Sequence, residues 1–497
     1  MVTGASMSLG AGDRRSTWSD GAHGLPPGTR RVHFVGVGGI GMSGVAVMMN
    51  ALGYDVTGSD VLTSAVTARL CQLGIGVQTG HNARWVGEAD ALVVSAAVAE
   101  DNPEVLEARR RRLPVIPRGV MLAGLTRSSA TVAVTGTHGK STTASMVAVM
   151  LAECGLDPSV VIGAYVGAFG GNTRIGRGDH FVVEADESEP SLLELTPRVA
   201  VVTNLEEEHL DHYVTFDRLR DTVVGFVNRV VPTGSVVLCA DDPELSRLRD
   251  RIAGRVVTYG VEDGTATIVG EEPVYHAAGS HCRVSVSSGG HSTDVRLHVG
   301  IPGRHNLLNA LGAFTVGLEM GLVPDRIVSA LANFEGVNRR FELKGEVAGM
   351  RVVDDYAHHP TEVAAVLATA RTQSHKRLIV VFQPHRFSRT ARCFQQFARV
   401  LSVADVVVLT DIFAAGESPI SGVTAGRLAD AVRQETDRPV HHAGTLGEAL
   451  ALVSDVARSG DLVVTLGAGS IGGLGDRLLA ARQKAVDADR QPGSEIS

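Results

Sequence analysis

The segment Gly136-Thr137-His138-Gly139-Lys140-Ser141-Thr142 follows directly on the apolar run Thr131-Val132-Ala133-Val134 and precedes a helix-compatible stretch. A strand, a glycine turn and a helix in that order open a parallel βα unit, because glycine tolerates the tight turn and the helix start then faces the strand's carboxyl end. Backbone N–H groups of such a loop close around phosphate oxygens. Lys140 brings positive charge to the terminal phosphates, and Ser141 or Thr142 offers a hydroxyl to Mg²⁺. The loop is the shorter GxxGK[ST][ST] form, since GxxxxGK[ST] would need glycine where the chain has Val134. A glycine-rich turn without a ligand is the alternative reading.

At 497 residues the chain exceeds one hydrophobic core, and at ~100–200 residues per domain it divides into about three. The 57 glycines suit many strand-to-helix turns of the kind nucleotide sites use. A net charge of −8 excludes a non-specific binder of nucleic acid or anionic membrane. The short basic run Arg109 to Arg112 reads as a solvated helix end. Five cysteines without a C-x-x-C pair signal neither zinc nor disulfides, which fits a cytoplasmic protein. Residues 1–29 lack the apolar core of a signal peptide and read as a disordered leader. No later apolar run reaches the ~18–20 residues of a membrane span.

Strand-like runs recur at Val32 to Val35, Tyr54 to Thr57, Ala91 to Val94 and Val115-Ile116, a βα repeat ending near the polar joint Thr126 to Ser129. A second doubly wound unit follows, with strands at Phe181 to Val183, Val199 to Val202 and Val236 to Leu238. Between Thr258 and Val299 short alternating runs predict antiparallel strands, and Asn306 to Ala332 predicts helix. A third unit has strands at Met350 to Val353, Leu378 to Phe382, Val406 to Leu409 and Leu462 to Leu466. The expected organisation is a Rossmann-like domain over 30–127, a central phosphate-loop domain with a parallel sheet over 128–338, a Rossmann-like α/β domain over 339–482 and a disordered tail over 483–497.

Gly36-Val37-Gly38-Gly39-Ile40-Gly41 satisfies G-x-G-x-x-G after a strand, and Asp60 ends the next strand. The loop suits a dinucleotide or a nucleotide sugar equally, and Asp60 serves either a ribose or the cap of the following helix. Two acidic runs, Glu184 to Glu189 and Glu206-Glu207-Glu208-His209, each follow a strand of the phosphate-loop unit, where hard oxygen ligands suit Mg²⁺. Asn306 and Asn309 share one face of a helix start, for adenine or for packing. Asp354-Asp355-Tyr356-Ala357-His358-His359-Pro360 and Gln383-Pro384-His385-Arg386-Phe387-Ser388-Arg389 are expected to end neighbouring strands of the third unit, with Arg386 and Arg389 clamping a carboxylate.

Taken in order, GVGGIGMSG at 36–44, GTHGKST at 136–142, EADES at 184–188, TNLEEEH at 203–209, HNLLN at 305–309, NRRFE at 338–342, DDYAHHP at 354–360 and FQPHRFSRT at 382–390 resemble the Mur ligases of peptidoglycan synthesis. The last two motifs point to the alanine-adding members. The resemblance implies an ATP- and Mg²⁺-dependent ligase acting on the small molecules UDP-N-acetylmuramate and L-alanine, without nucleic acid or membrane insertion, as a monomer or homodimer. By that resemblance Gly36, Gly38, Gly39, Gly41, Asp60 and Ser95 bind the UDP-sugar, and Gly136 to Thr142 with Asn306, Asn309 and Asp355 bind ATP. Lys140, Glu184, His209 and Arg340 serve catalysis, with Ser141, Thr142, Glu184 and His209 as metal ligands. Tyr356, His358, Arg386 and Arg389 then face the alanine and the muramyl group. Outside that reading stand a dinucleotide-dependent oxidoreductase, a non-catalytic ATP switch, and a related ligase adding another amino acid or a recycled peptide.

Overall fold

The computed structural model describes residues 24–286 and 294–489. Three α/β sheets follow one another along the chain, and two compact units contain them. One unit takes the chain to Pro273 with Cys282–His298 and Leu308–Phe334, and the other takes Val274–His281, Val299–Leu307 and the chain from Glu335.

The first sheet comprises β1 (Arg31–Val35), β2 (Asp55–Asp60), β3 (Gly76–Thr79), β4 (Ala91–Val94) and β5 (Val115–Pro117) in the order β3-β2-β1-β4-β5. Every pairing is parallel. The order reverses between β1 and β4, so a crevice opens at their carboxyl ends, where Gly36 and Ser95 follow. Short β3 was not expected, since GVQT has little apolar character and lies at an edge.

The second sheet runs through β6 (Ala130–Thr135), β7 (Ser159–Val166), β8 (Gly171–Arg174), β9 (His180–Glu184), β10 (Val199–Val202), β11 (Ser235–Cys239), β12 (Arg255–Gly260), β13 (Ile268–His276), β14 (Gly279–Val286) and β15 (Asp294–Val299). Their order is β15-β14-β13-β12-β11-β10-β6-β9-β7-β8. β6 thus lies between β9 and β10 and is parallel to both, and all four residues of β10 are buried valine or alanine. Such continuous apolar runs are what strands covered on both faces require. The strands between Thr258 and Val299 extend this same sheet. The expectation of antiparallel pairing is corrected at its start, where β12 and β13 pair in parallel at Tyr259–Ile268.

The third sheet comprises β16 (Glu342–Val347), β17 (Met350–Asp355), β18 (Leu378–Phe382), β19 (Val406–Leu409), β20 (Val440–His442) and β21 (Leu462–Leu466) in the order β16-β17-β21-β18-β19-β20. β16 is antiparallel to β17, and the others are parallel. Alternation along its strands feeds two cores: Val380, Val407 and Val464 join one, and Ile379, Val381, Val408 and Val463 the other. The strand at Met350 is therefore the second of this sheet. It is also separated from Leu378–Phe382 by β21, so the two polar loops do not end neighbouring strands.

Both termini need correction where they are described. Leu25 is buried, and the Thr29 N–H and hydroxyl both donate to the Pro26 carbonyl, so the leader's last residues form an ordered turn. The final helix spans Leu474–Asp489 through residues expected to be tail, because Ala485, Val486 and Ala488 continue its helix-forming sequence and Gln483 bonds Asp487 one turn on. The rest of the expected leader and tail lies outside the described residues. No helix among the described residues is long and apolar enough to cross a membrane.

Candidate active site

Gly136 and Gly139 adopt φ of +128° and +80°. A Cβ at Gly136 would stand 2.2 Å from Thr203 Oγ1, and one at Gly139 would stand 2.6 Å from Asn309 Oδ1. Only glycine fits either position. The helix Lys140–Glu153 then begins with its N-terminus at the loop, which places backbone donors and the positive end of the helix dipole together.

The segment after β10 braces this loop. Asn204 accepts the His138 N–H at 2.8 Å and donates to the His138 carbonyl at 2.9 Å, while its own carbonyl accepts the Thr137 N–H. Thr203 Oγ1 donates to the same His138 carbonyl at 2.6 Å, and Thr137 Oγ1 accepts the Glu206 N–H. In TNLEEEH it is therefore the first two residues, not the carboxylates, that do most of the bracing.

Carboxylates arrive from β9 on the other side. Ser141 Oγ donates to Glu184 at 2.9 Å, and Glu184 also accepts the Gly163 N–H. Lys140 Nζ bonds the Gly136 carbonyl at 2.7 Å and pairs with Glu187 at 2.8 Å. Burial pulls the Lys140 ammonium down, but Glu187, Asp186 and Glu184 outweigh it and hold its pKa above the ordinary lysine value. Burial likewise pushes Asp186 up, and Lys140 with the Ser188 hydrogen bonds brings it below the usual carboxylate range. Glu187 is wholly buried and also lies 3.3 Å from His209 Nε2. His209 therefore reaches Glu187 rather than Glu184. Its φ of +57° turns it at the start of a short helix, where side-chain direction cannot be read from spacing. Glu187 lies in the acidic run Glu184 to Glu189 expected to offer oxygen ligands, but its spacing three places after Glu184 does not single it out. Thr142 is buried in the first helical turn.

Asn309 Oδ1 accepts from Thr143 Oγ1 at 3.1 Å, and Asn306 donates to the Pro302 carbonyl at 2.8 Å. Both are buried, and Asn309 lies against the phosphate loop.

In the first sheet Asp60 accepts the Gly38 N–H at 2.8 Å, while Ser64 caps the helix Ala65–Gln72. Asp60 thus ties down the glycine loop and does not cap that helix. Ser95 packs over Gly36, where a Cβ would stand 3.2 Å from the serine Cβ.

In the third sheet, Gly467 and Gly469 follow the intervening β21, and a Cβ at Gly467 would lie 2.7 Å from the Gln383 carbonyl oxygen. Glycine there lets the flanking loops meet over the strand end. His358 and His385 rings stand 5.7 Å apart, Tyr356 packs edge-on to His358, and Phe413 stacks on His385. Burial drives the His358 imidazole down to about 3 despite Glu362 at 3.2 Å. Its Nδ1 meets the Tyr356 carbonyl at 3.0 Å, so the neutral ring donates there and keeps Nε2 as its acceptor. Arg389 is buried with Nη1 3.1 Å from His385 Nδ1, and Arg386, at φ +69°, stands 4.0 Å from Glu417. Burial raises the Asp355 carboxyl to about 6 against the pull of Arg340, and it accepts the Phe341 and Ala357 N–H groups at 2.6 and 2.7 Å. Arg340 lies over the Tyr356 ring at 5.3 Å. Its neighbour Arg339 pairs with Asp354 at 2.8 Å.

Family models match along the whole run of these sites: the Mur ligase family catalytic domain over residues 31–130, the Mur ligase middle domain over 134–317 and the Mur ligase glutamate ligase domain over 339–469. The chain belongs to the Mur ligase family. A UDP-N-acetylmuramate–L-alanine ligase of Anaeromyxobacter dehalogenans (strain 2CP-C) is 48% identical over 91% of this chain and 98% of its own length. One of Solibacter usitatus is 47% identical over 90% and 95%. Among solved structures, the UDP-N-acetylmuramate–alanine ligase of Thermotoga maritima superposes with a TM-score of 0.79 at 30% identity, covering 92% of this chain and 99% of that one. A murein peptide ligase of Psychrobacter arcticus, at TM-score 0.69 and 23% identity, shares the three-domain Mur ligase fold.

Proposed function

We propose that this Mur ligase joins L-alanine to the lactyl carboxylate of UDP-N-acetylmuramate at the expense of ATP, as the named relatives' activity reads. The observation that carries the proposal is the phosphate loop flanked on both sides by carboxylate-bearing strand ends, with Lys140 and Ser141 already held by them. A carboxylate and an amine do not condense in water. The carboxylate oxygen therefore attacks the terminal phosphorus of ATP, releasing ADP and leaving an acyl phosphate. The alanine amine, as free base, then attacks the acyl carbon, and the C–O bond breaks to release inorganic phosphate and leave the amide. Lys140 and the helix N–H groups stabilise charge on the transferring phosphoryl group.

Mg²⁺ fits the donor set at Ser141 and Glu184, a hydroxyl and a carboxylate 2.9 Å apart beside the loop. Bound there it would neutralise phosphate charge. Glu187 and His209 form the adjoining part of that acidic pocket. In the third domain, Arg386 and Arg389 suit the alanine carboxylate and neutral His358 suits a proton acceptor near the amine. The five cysteines are free thiols, in keeping with the cytoplasm, where ATP and nucleotide sugars are at hand.

The test is phosphate release from ATP with UDP-N-acetylmuramate and a panel of amino acids, with product mass recorded. Release that needs the UDP-sugar, is fastest with L-alanine and yields a product heavier by one alanyl residue is expected. Release without either acceptor would contradict the proposal.

A further inference from the structure

The glycine loop after β1 has a cationic neighbour that no sequence motif announces. A Cβ at Gly41, in the first turn of the helix Ile40–Ala51, would stand 2.7 Å from Arg118 Nη1 and 3.2 Å from its Cζ. The guanidinium therefore packs against the loop's last glycine. Arg118 begins the helix Arg118–Thr126 after β5, far from the loop in sequence. Its other terminal nitrogen, Nη2, forms an ion pair with Glu189, and both side chains are largely shielded, at 16% and 19% exposure. Glu189 is anchored from behind by Ser191, whose hydroxyl donates to it at 3.1 Å. A Cβ at Gly119 would stand 1.8 Å from that same Ser191 oxygen, so the Arg118 helix and the acidic segment are in close contact.

Glu189 closes the segment that begins at Glu184. One end of these six residues therefore holds Ser141 and Lys140 at the phosphate loop, and the other holds Arg118 at the glycine loop. A guanidinium shared between a carboxylate and a loop of backbone donors is suited to a diphosphate, whose oxygens accept bidentate N–H pairs.

We propose that Arg118 is the diphosphate-binding cation of the glycine loop, and that Glu189 competes with the diphosphate for it. Occupation of the glycine loop thereby relaxes the segment carrying Glu184 and Glu187. This positioning role rests on the UDP-sugar reading of the first domain.

The test uses full-length protein with a non-hydrolysable ATP analogue saturating the phosphate loop, and titrates UDP and UMP calorimetrically. A charged hydrogen bond is worth ~1.5–3 kcal/mol, so Arg118→Ala should weaken UDP about tenfold to a hundredfold. UMP should weaken far less, and Arg118→Lys should recover part of the loss. Glu189→Gln should tighten UDP severalfold, because it removes the competitor. Titrated instead with the ATP analogue, with and without UDP, the same variant should show no dependence of analogue affinity on UDP. A merely structural bridge gives the opposite sign: Glu189→Gln would then weaken UDP alongside Arg118→Ala, which overturns the proposal. UDP affinity within twofold of wild type in a folded Arg118→Ala protein also overturns it. Wild-type protein that ligates alanine, alongside an Arg118→Ala protein that binds UDP as tightly, refutes this inference alone, whereas wild-type protein that binds no UDP refutes the functional reading beneath it.

Discussion

Asn204 and Thr203 share one acceptor, the His138 carbonyl, and that sharing predicts how their removal combines. In Asn204→Ala the carbonyl keeps Thr203 Oγ1 at 2.6 Å, but the His138 N–H loses its acceptor at 2.8 Å. An amide donor so deprived costs ~1–3 kcal/mol, and half-burial with access to water puts this case at about 1–2. In Thr203→Val the carbonyl keeps Asn204 Nδ2 at 2.9 Å, so the cost is that of one hydrogen bond, ~0.5–1 kcal/mol. The double variant strips the carbonyl of both donors and should exceed the sum of the singles by ~1 kcal/mol or more. At ~2–4 °C per kcal/mol for a domain of this size, Asn204→Ala should lower Tm by about 2–8 °C, read by calorimetry with and without ATP. The ATP KM should rise in the same order, since a loosened loop must be reordered on binding. Strict additivity of the two substitutions, or an unchanged Tm in Asn204→Ala, would show that the loop is not held from β10.

Lys140→Ala should reduce ligation by orders of magnitude and also lower Tm, because it leaves the wholly buried Glu187 without its ammonium partner. An easily lost surface lysine would leave Tm alone. Adding Glu187→Gln to that variant should restore Tm without restoring turnover, and failure of this rescue would remove the pair from the argument. Gly139→Ala, at φ +80° and with its Cβ 2.6 Å from Asn309 Oδ1, should cost ~1–3 kcal/mol and abolish ATP-dependent stabilisation in thermal shift. Arg386→Ala should raise the alanine KM and leave the ATP KM nearly unchanged, and an unaltered alanine KM and kcat would take Arg386 out of the site. For pH, burial holds His305 near 4 and His358 near 3, so the unfolded chain takes up protons that the folded one refuses. Their stability contribution is complete above the ordinary histidine value of ~6.5 and is lost as pH falls from there toward 4. Asp355, near 6, acts in the opposite sense over the same range. His358→Gln should therefore flatten the fall in urea midpoint between pH 7 and pH 5, and an unchanged profile would contradict a neutral buried imidazole.

The strands were legible because central parallel strands such as Val199–Val202 carry no polar residue at all. Glycine turns and carboxylates marked where the loops would meet. What stayed hidden depended on strand order. β21 enters between β17 and β18 from far downstream, so local sequence could not reveal that Gly467 and Gly469 lie between the two loops and let them meet. The partners of charges were hidden for a related reason. EADESE holds four carboxylates, but only the turn after β9 decides that Glu184 meets Ser141, Glu187 meets Lys140 and Glu189 meets Arg118.

That last division makes the segment from Glu184 to Glu189 a ruler as well as a set of anchors. Three acidic side chains grip three partners at fixed intervals, so its length matters as much as its charge. Exchanging one carboxylate disturbs one grip, whereas adding or deleting a single residue throws every later grip out of register. A change in length should accordingly disturb the segment more than any single substitution, and a library that varies loop length around this site should recover the segment only at its natural span.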